Sequence, residues 1–277
     1  MSNGKVTNVQ RVSAIANFGE RFLDIPDRQL DLQQLLQKAA YHYGRITLED
    51  TEAARQVLSE AVDRYPQSPM ALAMLAATHV HMYPLVSIDR SPDRVQAAME
   101  LAERAVFAGP NVDFALRTRG NLKFWLLQDH EGAIADCKRA LAVTPNYQLA
   151  HLTMVECDLF GGRIAQARHR LETQIEMDIV LPQYHFFQTL YALIAVLEDD
   201  MIAARHHAFE AFEVAPWSDW GILVMAVVHG REVWTISHGM EERIARCALN
   251  ARHFCDLPIR DDALVGRLVS LADRAGL

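Results

Sequence analysis

Five stretches of the chain share one arrangement of apolar and polar positions. Each has the period of an amphipathic helix, with alanines seven residues apart and a proline five residues after the second alanine. Ala54, Ala61 and Pro66 make the first, Ala98, Ala105 and Pro110 the second, and Ala133, Ala140 and Pro145 the third. The fourth is degenerate, with Ala167 followed by Gln174 and the proline displaced to Pro182; Ala204, Ala211 and Pro216 restore the pattern in the fifth. Positions seven apart lie on one helix face, and small side chains there let two antiparallel helices approach closely. The proline ends the helix, because it has no N–H to donate and disfavours helix at the residue before it. The pattern predicts helix pairs over 31–45 and 50–64, 68–82 and 93–108, 112–127 and 130–143, 147–160 and 163–177, and 183–197 and 199–214. A sixth, atypical pair fits 218–230 and 240–252. A last helix over 260–275 has Asp at its start and a stripe of Leu264, Leu268 and Leu271, as suits a terminal cap. Residues 9–24 are helix-like and predict a cover for the opposite end.

The prolines are separated by 44, 35, 37 and 34 residues. A spacing near 34, with this alanine–alanine–proline order, resembles the second helix of the tetratricopeptide repeat. One such hairpin cannot bury its apolar side alone, so neighbours stack and share a core. The expected fold is therefore all-α: a right-handed superhelical solenoid of tetratricopeptide-like antiparallel hairpins with terminal capping helices. Residues 1–30 are expected to form an N-terminal helical extension, and residues 31–277 a solenoid of five to six hairpins plus the capping helix. The best copy is ALRTRGNLKFWLLQDHEGAIADCKRALAVTP, residues 115–145. Its Gly120 stands one residue farther from Ala133 than is usual in the repeat, which places an inserted residue in the hairpin turn. A longer insertion, YPLVSIDRSPD at 83–93, accounts for the interval of 44.

The order of these features, RITLEDTEAARQVLSEAVDRYPQSPMALAMLAATHVHMY followed by SPDRVQAAMELAERAVFAGPN and the well-formed third repeat, is more particular. Over about residues 30–216 it resembles the tetratricopeptide region on the C-terminal side of bacterial adenylate/guanylate cyclases and of winged-helix transcription regulators. The resemblance implies a regulatory module, either a freestanding relative or an excised C-terminal piece. This sequence has no room for a cyclase domain or a winged helix, so neither activity carries over.

In such a repeat the first helix of each hairpin lines the concave groove. Arg117 and Asn121, four apart on the first helix of the third hairpin, project from one face. A cation beside an amide donor suits a carboxylate, and tetratricopeptide domains that clamp a peptide's C-terminal carboxylate use a similar pair. Arg119 and Lys123 nearby make the alternative of a solvated basic face. Tyr184, Phe187 and Tyr191 recur at helical spacing and are candidate partner contacts, although a packed helix interior has the same pattern. Trp217 and Trp220 open the sixth hairpin, where Trp220 can fill space beside Pro216.

Chemistry is harder to find. His206 and His207 are adjacent, and His79 and His81 two apart, so neither pair chelates on a helix. Cys247, His253 and Cys255 lack the fourth ligand and paired short spacing of a zinc site. No phosphate-binding glycine loop, HExxH or Gly-x-Ser-x-Gly is present, so no catalytic residue, metal or cofactor is expected. Hydrophobic residues make up 51% and charged residues 22% of the 277 positions, which describes a folded chain. A formal charge of −8 without any long basic block argues against nucleic acid. No apolar run approaches the roughly 20 residues that span a bilayer, and no signal-like stretch opens the chain, so the cytoplasm is expected. Four cysteines in this length read as buried, reduced thiols. The leading expectation is a non-catalytic interaction scaffold holding a protein or peptide in the groove. A small-ligand sensor and a self-association module that pairs two chains are the alternatives.

Overall fold

A computed structural model describes residues 17–44, 48–80, 90–175, 184–216, 218–232 and 251–277. Among them are twelve α-helices: α1 Leu32–Tyr43, α2 Leu48–Arg64, α3 Pro69–Ala77, α4 Pro92–Ala108, α5 Asp113–Leu127, α6 His130–Val143, α7 Gln148–Phe160, α8 Ile164–Gln174, α9 Tyr184–Leu197, α10 Met201–Val214, α11 Asp219–His229 and α12 Asp262–Ala275. No strand occurs among the described residues. Helices α1 to α10 pair as five antiparallel hairpins, each odd-numbered helix followed by its even-numbered partner, and α11 packs on α9 and α10. The result is an all-α helical-repeat solenoid.

The repeated alanines sit where helices touch. Ala54, Ala61, Ala98, Ala105, Ala133, Ala140, Ala167, Ala204 and Ala211 are all buried. The proline that follows closes each helix in the same way. Tyr65, Gly109, Thr144 and Ala215, each just before a proline, donate their N–H to the carbonyls of Ala61, Ala105, Ala140 and Ala211 at 2.9–3.0 Å and then leave the helix. Helix starts are fixed by side chains: Asp31 makes a reciprocal capping box with Gln34, while Ser68, Asp129, Asp200 and Ser218 each accept from the N–H three residues on.

The extra residue of the third hairpin is visible in its turn. Gln128 adopts a left-handed conformation at φ 54°, and the Asp129 N–H reaches back to Lys123 O, a span of six residues. In the fourth and fifth hairpins the equivalent bonds, Arg163 N–H to Asp158 O and Asp200 N–H to Ala195 O, span five. The fourth turn uses Gly162 at φ 79°.

Several boundaries differ from the expected ones. Residues 17–22 form a 3-10 helix rather than the end of an α-helix, pressed so closely to α1 that a Cβ on Gly19 would meet Gln37 O at 2.2 Å; residues 9–16 lie outside the described residues. Helix α3 stops at Ala77 instead of running to 82, because the Thr78 hydroxyl takes the Leu75 carbonyl and the next N–H groups bond only three residues back. Of the second helix expected over 240–252, only a 3-10 turn at Ala251–Phe254 falls within the described residues.

After that turn the chain returns along the ends of the hairpins. Arg260 N–H bonds Phe160 O, and the Arg260 guanidinium holds Glu131 with two bonds of 2.8 and 2.7 Å. Arg90 donates to both Trp125 O and Asp256 O. Arg267 donates to Val196 O and Leu197 O. The last carbonyls of α5, α7 and α9, which no intrahelical donor can reach, thus receive donors from Arg90 and from this return segment. His130, fully buried, has one ring nitrogen 3.1 Å from Cys157 O and the other 2.8 Å from Pro258 O.

Candidate partner-binding site

Two cations of α5 are fully committed inside the repeat. Arg119 bonds Asp136 of α6 and Glu103 of α4, and Lys123 Nζ lies 2.8 Å from Asp136 Oδ2. Burial alone would push the Asp136 carboxyl up, but the Arg119 and Lys123 bonds outweigh it and hold it below the usual carboxylate range. In the same way Asp158 binds Arg163 and Arg170. Arg119 and Lys123 therefore form an internal ion cluster rather than a solvated basic face.

Arg117 differs from both. It is half-buried, and its Nε donates to Thr153 Oγ1 of α7 at 3.2 Å. No carboxylate among the described residues forms an ion pair with it. Its charge acts instead on Tyr43 at the end of α1, on Tyr147 at the start of α7, and on Cys137 and Glu156. Burial pushes both phenols up, against the pull of the guanidinium. Burial also lifts the Glu156 carboxyl to about 7, with Arg117 again opposing. Glu156 Oε2 is shielded from solvent without a hydrogen-bond partner, and so is the Tyr147 hydroxyl.

The same deficit recurs on other helices. Thr118 Oγ1 on α5, Gln148 Oε1 and His151 Nδ1 on α7, His79 Nδ1 just beyond α3 and His229 Nε2 on α11 are all buried without a hydrogen-bond partner. Each stands on an odd-numbered helix or at its end. Among the described residues, α2, α4, α6, α8 and α10 contribute no such atom. Buried polar atoms are normally satisfied, so one class of helix carries unused hydrogen-bonding capacity.

The five candidate residues separate into two groups. Arg117 and Asn121 share α5, with Asn121 only 7% exposed and thus more withdrawn than a freely offered amide. Tyr184 and Tyr191 lie on α9 and do not meet them. Gln188 Nε2 donates to the Tyr184 hydroxyl at 2.5 Å, Gln188 Oε1 lies 2.7 Å from His207 Nδ1, and the His207 ring stacks on Tyr191 at 4.7 Å. This network joins α9 to α10. Phe187 is 2% exposed and belongs to the core, as does Trp220, which packs on Phe254. For Phe187 this corrects its reading as a partner contact, and the apolar surroundings of α9 are the cause, whereas Trp220 fills space as expected. Trp217 lies outside the described residues.

The remaining chemistry is sparse. Cys137 and Cys157 are buried, and burial pushes the Cys137 thiol up to about 12 and the Cys157 thiol up as well. Cys255 is exposed, contrary to the expectation of burial; Cys247, His81 and the His253 side chain lie outside the described residues. No group of three metal-ligating side chains occurs among the described residues. No described helix is long and apolar enough to cross a membrane. What sequence reasoning missed was Glu156, Tyr43, Tyr147 and Thr153. Of these only Thr153 carried a signal, because it stands 36 residues from Arg117, about one repeat along on the neighbouring first helix.

Stacked antiparallel hairpins of this kind define an all-α helical-repeat protein. Residues 125–185 match the family model described as a tetratricopeptide repeat. The chain resembles TTC0263, a thermophilic tetratricopeptide protein of Thermus thermophilus, at 20% identity and a TM-score of 0.57, over 72% of this chain and 99% of that one. It also resembles a tetratricopeptide repeat protein of Parabacteroides merdae at 14% identity and a TM-score of 0.50, over 95% and 93%. The Cut9–Hcn1 assembly of the APC/C gives 12% identity and a TM-score of 0.53, over 99% of this chain and 60% of that one. At these identities the likeness is one of fold. No curated protein matches the sequence.

Proposed function

We propose that this protein is a non-catalytic interaction scaffold. It holds an extended segment of a partner protein along the concave groove formed by the odd-numbered helices, centred on Arg117. The observation that carries this reading is a half-buried guanidinium with no ion pair among the described residues, on the class of α-helix that, among those residues, also holds the buried polar atoms without partners. A partner's polar groups would supply what the chain itself does not, and leaving such groups unmet costs about 1–3 kcal/mol each. The sequence resemblance of residues 30–216 to repeat regions of cyclases and transcription regulators supports a regulatory setting for that binding.

The test is an array of random-sequence dodecapeptides probed with wild type, Arg117→Ala and Arg205→Ala. Arg205 is a half-exposed cation on α10, away from the proposed groove. Loss of at least tenfold in binding is expected for Arg117→Ala alone, equivalent to about 1.4 kcal/mol. Equal binding by all three would remove the site from α5. No peptide bound by wild type would refute the scaffold reading.

A further inference from the structure

The scaffold reading places a partner at Arg117, and the surroundings of that residue say more about the chemistry it accepts. Arg117 offers guanidinium N–H groups beyond the one given to Thr153. Glu156, three residues beyond Thr153 on α7 and so on the same side of that helix, offers a carboxyl oxygen with no donor. The two form no ion pair. Once Glu156 is ionised, a carboxylate drawn to Arg117 would meet a like charge there, and an ammonium drawn to Glu156 would meet the positive Arg117. A neutral group with one acceptor and one donor satisfies both without like-charge contact.

We propose that Arg117 and Glu156 together read an amide, its C=O turned to Arg117 and its N–H to Glu156, supplied by a peptide main chain or by an Asn or Gln side chain. This proposal rests on the scaffold reading above. Accepting an N–H favours ionised Glu156, whereas the empty site favours the protonated acid, so binding releases a proton. With the free carboxyl at about 7, affinity falls as the pH drops below that value. The groups that act on Glu156 or share its surroundings are Arg117 of α5, Tyr43 of α1, Tyr147, Cys137 of α6, and Cys157 and His151 of α7. The phenols and thiols keep their protons throughout a window of about pH 5.5–8, which leaves His151 as the other group to control for.

The experiment uses three dodecapeptide sets: N-acetylated and C-amidated, free at the C-terminal carboxylate, and capped but lacking Asn and Gln. Capped and free-acid peptides are expected to bind equally well, with roughly tenfold weakening from about pH 8 to 5.5. Glu156→Gln, which keeps an acceptor but cannot ionise, should bind with a flat pH profile, whereas His151→Gln should retain the wild-type slope. Equal binding by the Asn- and Gln-free set assigns the amide to the main chain, and its loss assigns it to the side chain. Binding only by free-acid peptides, with no pH dependence in wild type, would overturn the amide reading and leave the scaffold standing with Arg117 as a simple carboxylate site. Absence of binding by every set would overturn both.

Discussion

Replacing Gly120 with alanine should destabilise the protein, although alanine is the better helix former. Gly120 lies inside α5, where the usual gain from glycine to alanine is roughly 1 kcal/mol. Its new Cβ, however, would stand 2.9 Å from Ala133 O and 3.3 Å from both the Asp136 Cβ and the Cys137 Sγ. The nearest of these is backbone, which cannot rotate away, so α5 and α6 must separate. Overpacking of this kind costs about 1–3 kcal/mol, leaving a net loss of about 1 kcal/mol after the propensity gain. Gly266 supplies the internal control. It is exposed on α12, with no atom within 4 Å of a built Cβ, so Gly266→Ala should stabilise by roughly 0.5–1 kcal/mol. Urea unfolding followed by far-ultraviolet circular dichroism reads both, provided the slopes stay equal. Two variants of the same chemistry should move the midpoint in opposite directions. Equal stabilisation by both would show that α5 and α6 do not approach at Gly120, and the packing described for the repeat would be wrong.

Three further outcomes follow from buried charge and from the return segment. Asp136→Ala should cost about 3–5 kcal/mol, because Arg119 and Lys123 lose their common partner. The carboxyl sits below its unfolded value, so its contribution is present above about pH 4 and is lost as the pH falls through the folded pKa; the acid sensitivity of urea midpoints should weaken in Asp136→Asn. Glu156 has the opposite sign. Its raised carboxyl at about 7 makes the ligand-free fold less stable as the pH rises from about 4.5 to 7, so Glu156→Gln should gain roughly 1–3 kcal/mol at about pH 8 and little at about pH 4. His130→Leu should leave Cys157 O and Pro258 O without their ring contacts and cost about 2 kcal/mol. It should speed proteolysis within 251–277, and unchanged cleavage there would show that the ring does not hold the segment.

The repeat was legible because its cause is local. Buried alanines and helix-ending prolines recur at fixed spacing, and the extra residue before Ala133 appears in the structure as a turn bond one residue longer. Arg117 was legible too, as one of three nearby cations, but its distinction was not: only the structure shows that Asp136 and Glu103 absorb Arg119 and that Asp136 also pairs with Lys123. Tyr184, Phe187 and Tyr191 share a helical period that serves contact and core alike; the structure buries Phe187 and stacks Tyr191 on His207 of α10. Glu156 and Tyr43 lie far from Arg117 in sequence, and nothing in their local pattern marks them as its neighbours. The return segment was illegible for the same reason, since a side chain meeting a distant carbonyl leaves no periodic trace.

That segment changes how the molecule should come apart. Stacked repeats ordinarily exchange energy only with adjacent units, so they fray from their ends and their unfolding spreads in steps. Here Arg90 bonds a carbonyl 166 positions away, His130 one 128 away, and Arg260 grips Glu131 across 129 positions. These ties connect the second and third hairpins to the segment that leads into the final helix, bypassing the units between. Opening that end therefore requires breaking contacts in the middle, and an otherwise one-dimensional array acquires the all-or-none cooperativity of a closed fold. Its folding should be correspondingly slower, because those long loops must close before their contacts form.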